Sequence, residues 1–205
     1  VSSNASLELY KYGLFDDAVT SLRKQPDGKI LVGGAFRRVD GTSQGGIARL
    51  MPDLSTDVSF TPGSGADRTV NDIARYEAGS LLGKVVITGA FGRVQDRTRN
   101  RIALLLSNGS VDFAFNPGMG VSDGEVFCLA LQPDGKIIIG GTFASVNFAK
   151  RFNVARLDTD GGVDMSFDAG TVSGEVHALW LFPDGRLLIA GNFKSVQGRQ
   201  RRGIA

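Results

Sequence analysis

Short apolar runs alternate with turn residues along the whole chain, and no stretch carries the three-to-four-residue apolar spacing of a helix face. The pattern is cleanest between 125 and 174. Residues 125–132 (EVFCLALQ) are an apolar, β-rich run. Pro133-Asp134-Gly135 follows as a tight turn, proline presetting φ and glycine taking the positive φ. Residues 136–143 (KIIIGGTF) make a second strand and so complete a hairpin. A longer polar loop at 144–151 leads to a third strand at 152–157 (FNVARL), an Asp160-Gly161 turn and a fourth strand at 162–167 (GVDMSF). Residues 168–174 connect to the next such unit. QPDGK at 25–29, FPDGR at 182–186 and SNGS at 107–110 mark the same turns elsewhere. One unit departs: a longer glycine-containing loop at 77–83 replaces its Pro-Asp-Gly turn.

The unit recurs four times. Gly34-Ala35-Phe36, Gly89-Ala90-Phe91, Gly141-Thr142-Phe143 and Gly191-Asn192-Phe193 are its clearest markers. Val39, Val94, Val146 and Val196 each stand three residues beyond the Phe, and Ile47-Ala48, Ile102-Ala103, Val154-Ala155 and Ile204-Ala205 open eleven beyond it. A second aromatic set, Phe60, Phe115 and Phe167, follows the third strands. Fixed offsets imply one packing role repeated. Four antiparallel strands in a unit of roughly 50 residues predict an all-β β-propeller of four blades, in preference to a β-solenoid, whose coils are shorter. The expected organisation is one domain over 1–205, with repeats at about 13–60, 61–115, 116–167 and 168–205.

The two ends read as parts of one unit. The last repeat stops at Ile204-Ala205, inside its third strand, and Asn4-Ala5-Ser6-Leu7-Glu8 matches Asn108-Gly109-Ser110-Val111-Asp112 at the start of a fourth strand. Residues 1–12 are therefore expected to supply the strand that completes the last repeat. Three arrangements satisfy this: a four-bladed ring clasped by the N-terminal strand, an arc of a longer propeller, or a homo-oligomer in which that strand is exchanged between chains.

QPDGKILVGGAF at 25–36, QPDGKIIIGGTF at 132–143, IARL at 47–50, VARL at 154–157 and NGSVDFAF at 108–115 together resemble the delta-60 repeat over nearly the whole chain. The resemblance implies a β-propeller-like fold in a large bacterial protein, or one of its phage, that is secreted or exposed at the cell surface. It carries no recognised catalytic motif, so no active residue is transferred.

Composition narrows the function without naming it. A net charge of +2 over 205 residues gives no bulk attraction to nucleic acid or membrane, and no run reaches the ~18–20 apolar residues of a membrane span. The single cysteine, Cys128, excludes an intramolecular disulfide framework and aligns with Ser21, Asp72 and Ala178, a small-residue slot. The one histidine, His177, stands beside Glu175 on a first strand and is expected to be a hydrogen-bonded strand residue. Asp158-Thr159-Asp160-Gly161 with Asp164 lacks the full oxygen set of a calcium loop, so no metal and no cofactor is expected.

The loops carry the chemistry. Every loop between second and third strands is basic, and the candidate binding residues are Arg97, Arg99, Arg101, Arg199, Arg201 and Arg202. Loops between repeats answer with carboxylates, among them Asp16, Asp67 and Asp123. One reading is a ring of exposed salt bridges of little energetic weight. The other is a basic rim that meets a protein or an anionic glycan through guanidinium donors. Absence of interleaved aromatics argues against nucleic acid. The expected function is a non-enzymatic scaffold or recognition module. The alternatives are a structural subunit assembled by strand exchange and a carbohydrate-active propeller enzyme, for which Asp72, with Arg75 nearby, is the repeat-breaking acid of the inner strands.

Overall fold

The computed structural model describes residues 14–205. It is built from antiparallel sheets that repeat in chain order. The first repeat contributes β1 (Val19–Lys24), β2 (Ile30–Gly34), β3 (Arg38–Val39), β4 (Thr42–Ser43) and β5 (Ile47–Leu50). The second contributes β6 (Val70–Arg75), β7 (Val85–Gly89), β8 (Arg93–Val94), β9 (Arg97–Thr98) and β10 (Ile102–Leu105). The third contributes β11 (Val126–Leu131), β12 (Ile137–Gly141), β13 (Ser145–Val146), β14 (Ala149–Lys150) and β15 (Val154–Leu157). The fourth has longer strands, β16 (Val172–Leu181) and β17 (Leu187–Val196), with β18 (Arg199–Gln200). In each of the first three the sheet order is first, second, third strand, as in β1-β2-β5. The only helical turn among the described residues is a 3-10 turn at Gly79–Leu81, in the loop that replaces the second repeat's Pro-Asp-Gly turn.

Two features differ from the sequence expectation. The predicted fourth strands touch their sheets at single bridges, Leu50↔Thr56, Leu105↔Val111 and Leu157↔Val163. An aspartate explains why they do not run on. The Asp57 carboxylate accepts the Ser59 N–H at 3.0 Å, and the Asp57 carbonyl accepts the Phe60 N–H at 3.1 Å, so the chain turns where a ladder would need it extended. Asp112 with Ala114 and Asp164 with Ser166 repeat the first of these bonds, and the carbonyl of Asp164 accepts the Phe167 N–H. The polar loops after the second strands are not irregular either: they fold into two-residue ribbons, β3-β4, β8-β9, β13-β14 and, in the fourth repeat, the end of β17 with β18. The predicted N-terminal strand at 5–12 lies outside the described residues.

The Gly-x-Phe marker has a physical cause. Each first strand bulges immediately after the valine that pairs with the marker glycine: Val19↔Gly34, Val70↔Gly89, Val126↔Gly141 and Val176↔Gly191. The bulge pushes the preceding carbonyl against that glycine. A Cβ on Gly89 would sit inside the Thr69 carbonyl oxygen, and Gly34, Gly141 and Gly191 meet Ala18, Glu125 and Glu175 in the same way. Only a residue without a side chain admits the approach.

The sheets stack face to face through positions that repeat. Each repeat has a leading face toward the next repeat and a trailing face toward the one before. Leu31, Ile47 and Phe60 of the first repeat cluster with Val70, Ile73, Ile87 and Phe91 of the second. Val86, Ile102 and Phe115 then cluster with Val126, Leu129, Ile139 and Phe143. Ile138, Val154 and Phe167 cluster with Val176, Leu179, Ile189 and Phe193. The four marker phenylalanines are all buried, between 0% and 3% exposed. Phe60 and Phe115 are buried as expected, while Phe167 is half-buried. β1 and β2 lie against β6, β6 and β7 against β11, and β11 and β12 against β16. No comparable packing joins the fourth sheet to the first among the described residues.

Candidate functional site

The ribbons place the six arginines. Arg97 lies on β9 with Arg99 and Arg101 just beyond it; Arg199 lies on β18 with Arg201 and Arg202 just beyond it. The two triplets belong to different repeats, with the third repeat's sheet between them, so the structure brings the members of each triplet together but not the triplets. Arg97 rests its guanidinium over the exposed Phe113 ring at 5.6 Å. Arg99 donates to the Thr98 carbonyl, Arg101 to the Gly124 carbonyl and Arg201 to the Gln200 carbonyl. Arg99 is half-buried, and burial together with the neighbouring Arg97 charge lowers its pKa. Among the described residues none of the six is within ion-pair distance of a carboxylate.

The carboxylates expected to neutralise the rim are occupied by backbone. Asp16 accepts the N–H groups of Arg37 and Arg38 at 2.8 and 2.9 Å. Asp67 accepts those of Gly92 and Arg93 at 2.9 and 3.0 Å, and Asp123 those of Ala144 and Ser145, both at 3.3 Å. Ser173 takes the same part in the fourth repeat, accepting the Ser195 N–H at 2.8 Å. The bonds from Arg38 and Arg37 hold the Asp16 carboxyl below the ordinary carboxylate pKa. The expectation of inter-loop salt bridges at these aspartates is thus corrected: they fasten the inter-repeat loop to the start of a ribbon, and among the described residues they do not pair with the six guanidinium groups. An acid recurs at this place in the first three repeats, but residue type alone does not distinguish a backbone partner from a side-chain one.

Concave surface on this loop face is shallow. One depression of about 380 Å³ lies between the third and fourth repeats, lined by Asp123, Thr142, Phe152 and Glu175 among others. A second, about 810 Å³, is formed by the fourth repeat's ribbon and includes Lys194, Gln200 and Arg202. A third concavity of about 400 Å³ lies on the opposite face, at the one repeat whose Pro-Asp-Gly turn is replaced by a longer loop. The 77–83 insertion makes it: Tyr76 donates its hydroxyl to the Gly135 carbonyl at 2.7 Å and ties the inserted loop to the next repeat's turn. Burial, with the nearby Asp134 charge, raises the Tyr76 pKa to about 12, so the hydroxyl remains a donor.

The remaining sequence candidates are engaged by neighbouring groups. Asp72 accepts Ser21 Oγ at 3.2 Å, Arg23 Nη2 at 2.8 Å, its neighbour's N–H at 2.8 Å and the Leu129 N–H at 3.0 Å, linking three repeats through one carboxylate. Arg75 pairs with Glu77, not with Asp72. Cys128 is buried, and burial with the nearby Asp72 charge raises its thiol pKa to about 12, so it is no nucleophile at neutral pH. His177 hydrogen-bonds Glu175 at 2.9 Å and stacks on Phe127 at 4.8 Å. No cluster of three or more potential metal-ligating His, Cys, Asp or Glu occurs among the described residues, and no helix among them is long and apolar enough to cross a membrane.

Comparison with known proteins adds a family and no activity. No curated protein matches the chain. A family described as "Domain of unknown function (DUF5122) beta-propeller" matches in four segments, 25–60, 83–115, 132–167 and 183–205. Each segment falls within one repeat, and together they span more than half of the sequence. By its four repeats and their packing the chain belongs to this β-propeller repeat family.

Proposed function

We propose that the chain is a non-enzymatic recognition module, a set of four propeller blades of the delta-60 type that binds an anionic glycan or an acidic protein surface through its loop face. The observation that supports this reading is the separation of charge on that face. Among the described residues the six guanidinium groups stand without a carboxylate partner, while Asp67 beside the first triplet is spent on backbone N–H groups and a serine, Ser173, holds that place beside the second. Arginine forks donate to carboxylate or sulfate in parallel bonds, which suits polyanionic sugars and acidic peptides alike. Placement in a secreted or surface-exposed bacterial or phage protein follows from the repeat resemblance and is part of the proposal.

The test uses immobilised heparin and polygalacturonate, with neutral dextran as control. The parent protein should be retained by the polyanions at low ionic strength and released as salt rises, because exposed charges are screened within about 8–10 Å at 0.1–0.15 M. Arg99→Glu with Arg201→Glu should weaken retention by roughly tenfold or more and flatten the salt response. Retention that is unchanged in the double variant, or absent in the parent, removes the basic-rim reading.

A further inference from the structure

The turn face carries a second recess, about 270 Å³, at the ends of β1, β6 and β11, the first strands of three successive repeats. It adjoins the Tyr76 concavity, since Arg75, Glu77 and Leu131 line both. Two small residues open it. Arg23, Ala74, Ala130 and Trp180 are equivalent in register, and the alanines of the second and third repeats leave room that a long side chain would fill. The polar groups around this space are unevenly satisfied. Arg23 pairs with Asp72, and Arg75 with Glu77. Lys24, exposed at the rim, has no carboxylate within ion-pair distance among the described residues. Gln25 is the clearest exception. It is only 5% exposed, its amide oxygen is buried, and among the described residues neither end of the amide has a hydrogen-bond partner. Its counterparts at the start of the other turns are Tyr76, Gln132 and Phe182. Tyr76 donates to the Gly135 carbonyl, Gln132 accepts from Arg156 at 3.5 Å, and Phe182 has no polar group to satisfy. A buried amide without partners is costly, so its complement is to be sought outside the chain.

We propose that this recess binds a small monocarboxylate that carries hydroxyl groups. Lys24 supplies the charge: with Arg23 and Arg75 each neutralised by an acid, it is the cation left to meet a ligand carboxylate, which limits the ligand to one negative charge. Arg75 adds donors beside it, for only its Nη1 is engaged by Glu77 and its Nε is buried without an acceptor. Gln25 supplies what a carboxylate alone does not use. Its oxygen needs a donor, and a ligand hydroxyl is one. Nothing holds the amide in one orientation, so rotation about its last bond turns the oxygen toward the recess without breaking a hydrogen bond. Ala74, Ala130 and Leu131 offer apolar contact to the carbon chain. The site lies on the face opposite the six arginines and does not depend on the basic-rim reading.

The experiment titrates the whole, 15N-labelled chain with D-gluconate and follows the amide chemical shifts, which also report that each variant is folded. Shifts centred on Gln25, Arg75 and Leu131 should saturate with a Kd of about 1 mM, the scale set by a ligand of that size. Sorbitol keeps the hydroxyl groups without the carboxylate, and hexanoate keeps the carboxylate without the hydroxyl groups; each should bind at least about tenfold more weakly. Lys24→Ala changes an exposed side chain, and Gln25→Leu places an apolar residue where the fourth repeat has Phe182, so both should fold. Each should weaken gluconate at least about tenfold, while Arg99→Glu with Arg201→Glu should leave it unchanged. A parent that shows no saturation by about 20 mM, twentyfold above the expected Kd, overturns the proposal and leaves the recess to water. Equal binding of sorbitol or hexanoate overturns it too, as does gluconate binding that survives both Lys24→Ala and Gln25→Leu. Loss of gluconate in the loop-face double variant would assign the anion to the other face and overturn it as well.

Discussion

Asparagine at position 57 probes the ionic clasp that holds the turn after each third strand. In the structure the Asp57 carboxylate, 4% exposed, accepts Lys29 Nζ at 2.9 Å and Arg49 Nε at 2.7 Å on one oxygen, and Ser59 Oγ at 2.6 Å and N–H at 3.0 Å on the other. Asparagine keeps the shape and the oxygen facing Ser59, but its amide would confront two cationic donors. Two charge-assisted bonds are lost, at about 1.5–3 kcal/mol each. Lys29 is partly exposed and recovers water, which discounts its share. The expected cost is therefore about 3 kcal/mol. The second repeat is a built-in comparison. Leu104 and Ala114 stand where Arg49 and Ser59 stand, so Asp112 accepts only Lys84 Nζ at 2.7 Å and the Ala114 N–H at 2.9 Å. Asp112→Asn loses one charge-assisted bond and should cost about half as much. With a urea slope of roughly 3 kcal/mol per molar, the midpoints should fall by roughly 1 M and 0.5 M. Equal shifts, or a larger one for Asp112→Asn, would refute the claim that the arginine carries weight. The pH dependence has a definite sign. Burial raises the Asp57 pKa, but the bonds from Ser59, Lys29 and Arg49 outweigh it and hold the carboxyl far below the ordinary range. A folded-state value below the unfolded one of about 3.9 gives stabilisation that is complete above about pH 4 and lost as pH falls through the folded value. The stability curves of parent and Asp57→Asn should thus converge in acid.

Three further outcomes are expected. Gly89→Ala forces a Cβ into the Thr69 carbonyl and should lower stability by about 1–3 kcal/mol or more, read from the same urea curves, whereas alanine at the open Gly185 turn tip should act only through its positive φ. Phe91→Ala empties a site with no exposed surface and should cost about 3–5 kcal/mol, while Phe193→Ala, beside the half-buried Leu179 and Val196, should cost less. Cys128 should resist iodoacetamide at pH 8 in the folded protein and react at an ordinary rate in denaturant, followed by mass spectrometry.

Strand positions, turn types and the buried phenylalanines were legible in the sequence because each depends on local periodicity or on a side chain with one physical use. The glycine of the Gly-x-Phe marker was legible as a marker but not as a cause, since the bulge that requires it lies in the preceding strand. The fourth segments make single bridges where the pattern predicts strands. Their alternation of apolar residues is real, but the Asp-x-Ser bonds that turn the chain after Thr56 are invisible to a pattern count. On the loop face the aspartates take partners other than those their sequence position suggests: Asp16, Asp67 and Asp123 recur with the arginine-bearing loops, and proximity in sequence cannot tell a guanidinium partner from a backbone one. The concavity at Tyr76 was foreshadowed by the broken Pro-Asp-Gly turn, although its place beside Gly135 depends on the stacking of successive sheets.

The two-faced stacking of the repeats also sets how the molecule comes apart. When each unit buries apolar surface only against its neighbours, stability is close to a sum of nearest-neighbour terms, and opening starts where one term is missing. The second and third repeats are flanked on both sides, and β7 and β12 are buried throughout. β16 and β17 are flanked on one side only among the described residues, and half or more of each strand is in contact with solvent. Amide exchange should therefore be graded along the chain, fastest in β1, β16 and β17 and slowest in β7 and β12. The middle of the molecule is its protected part, from which the fourth repeat can detach while the arginine-bearing ribbon of the second stays in place.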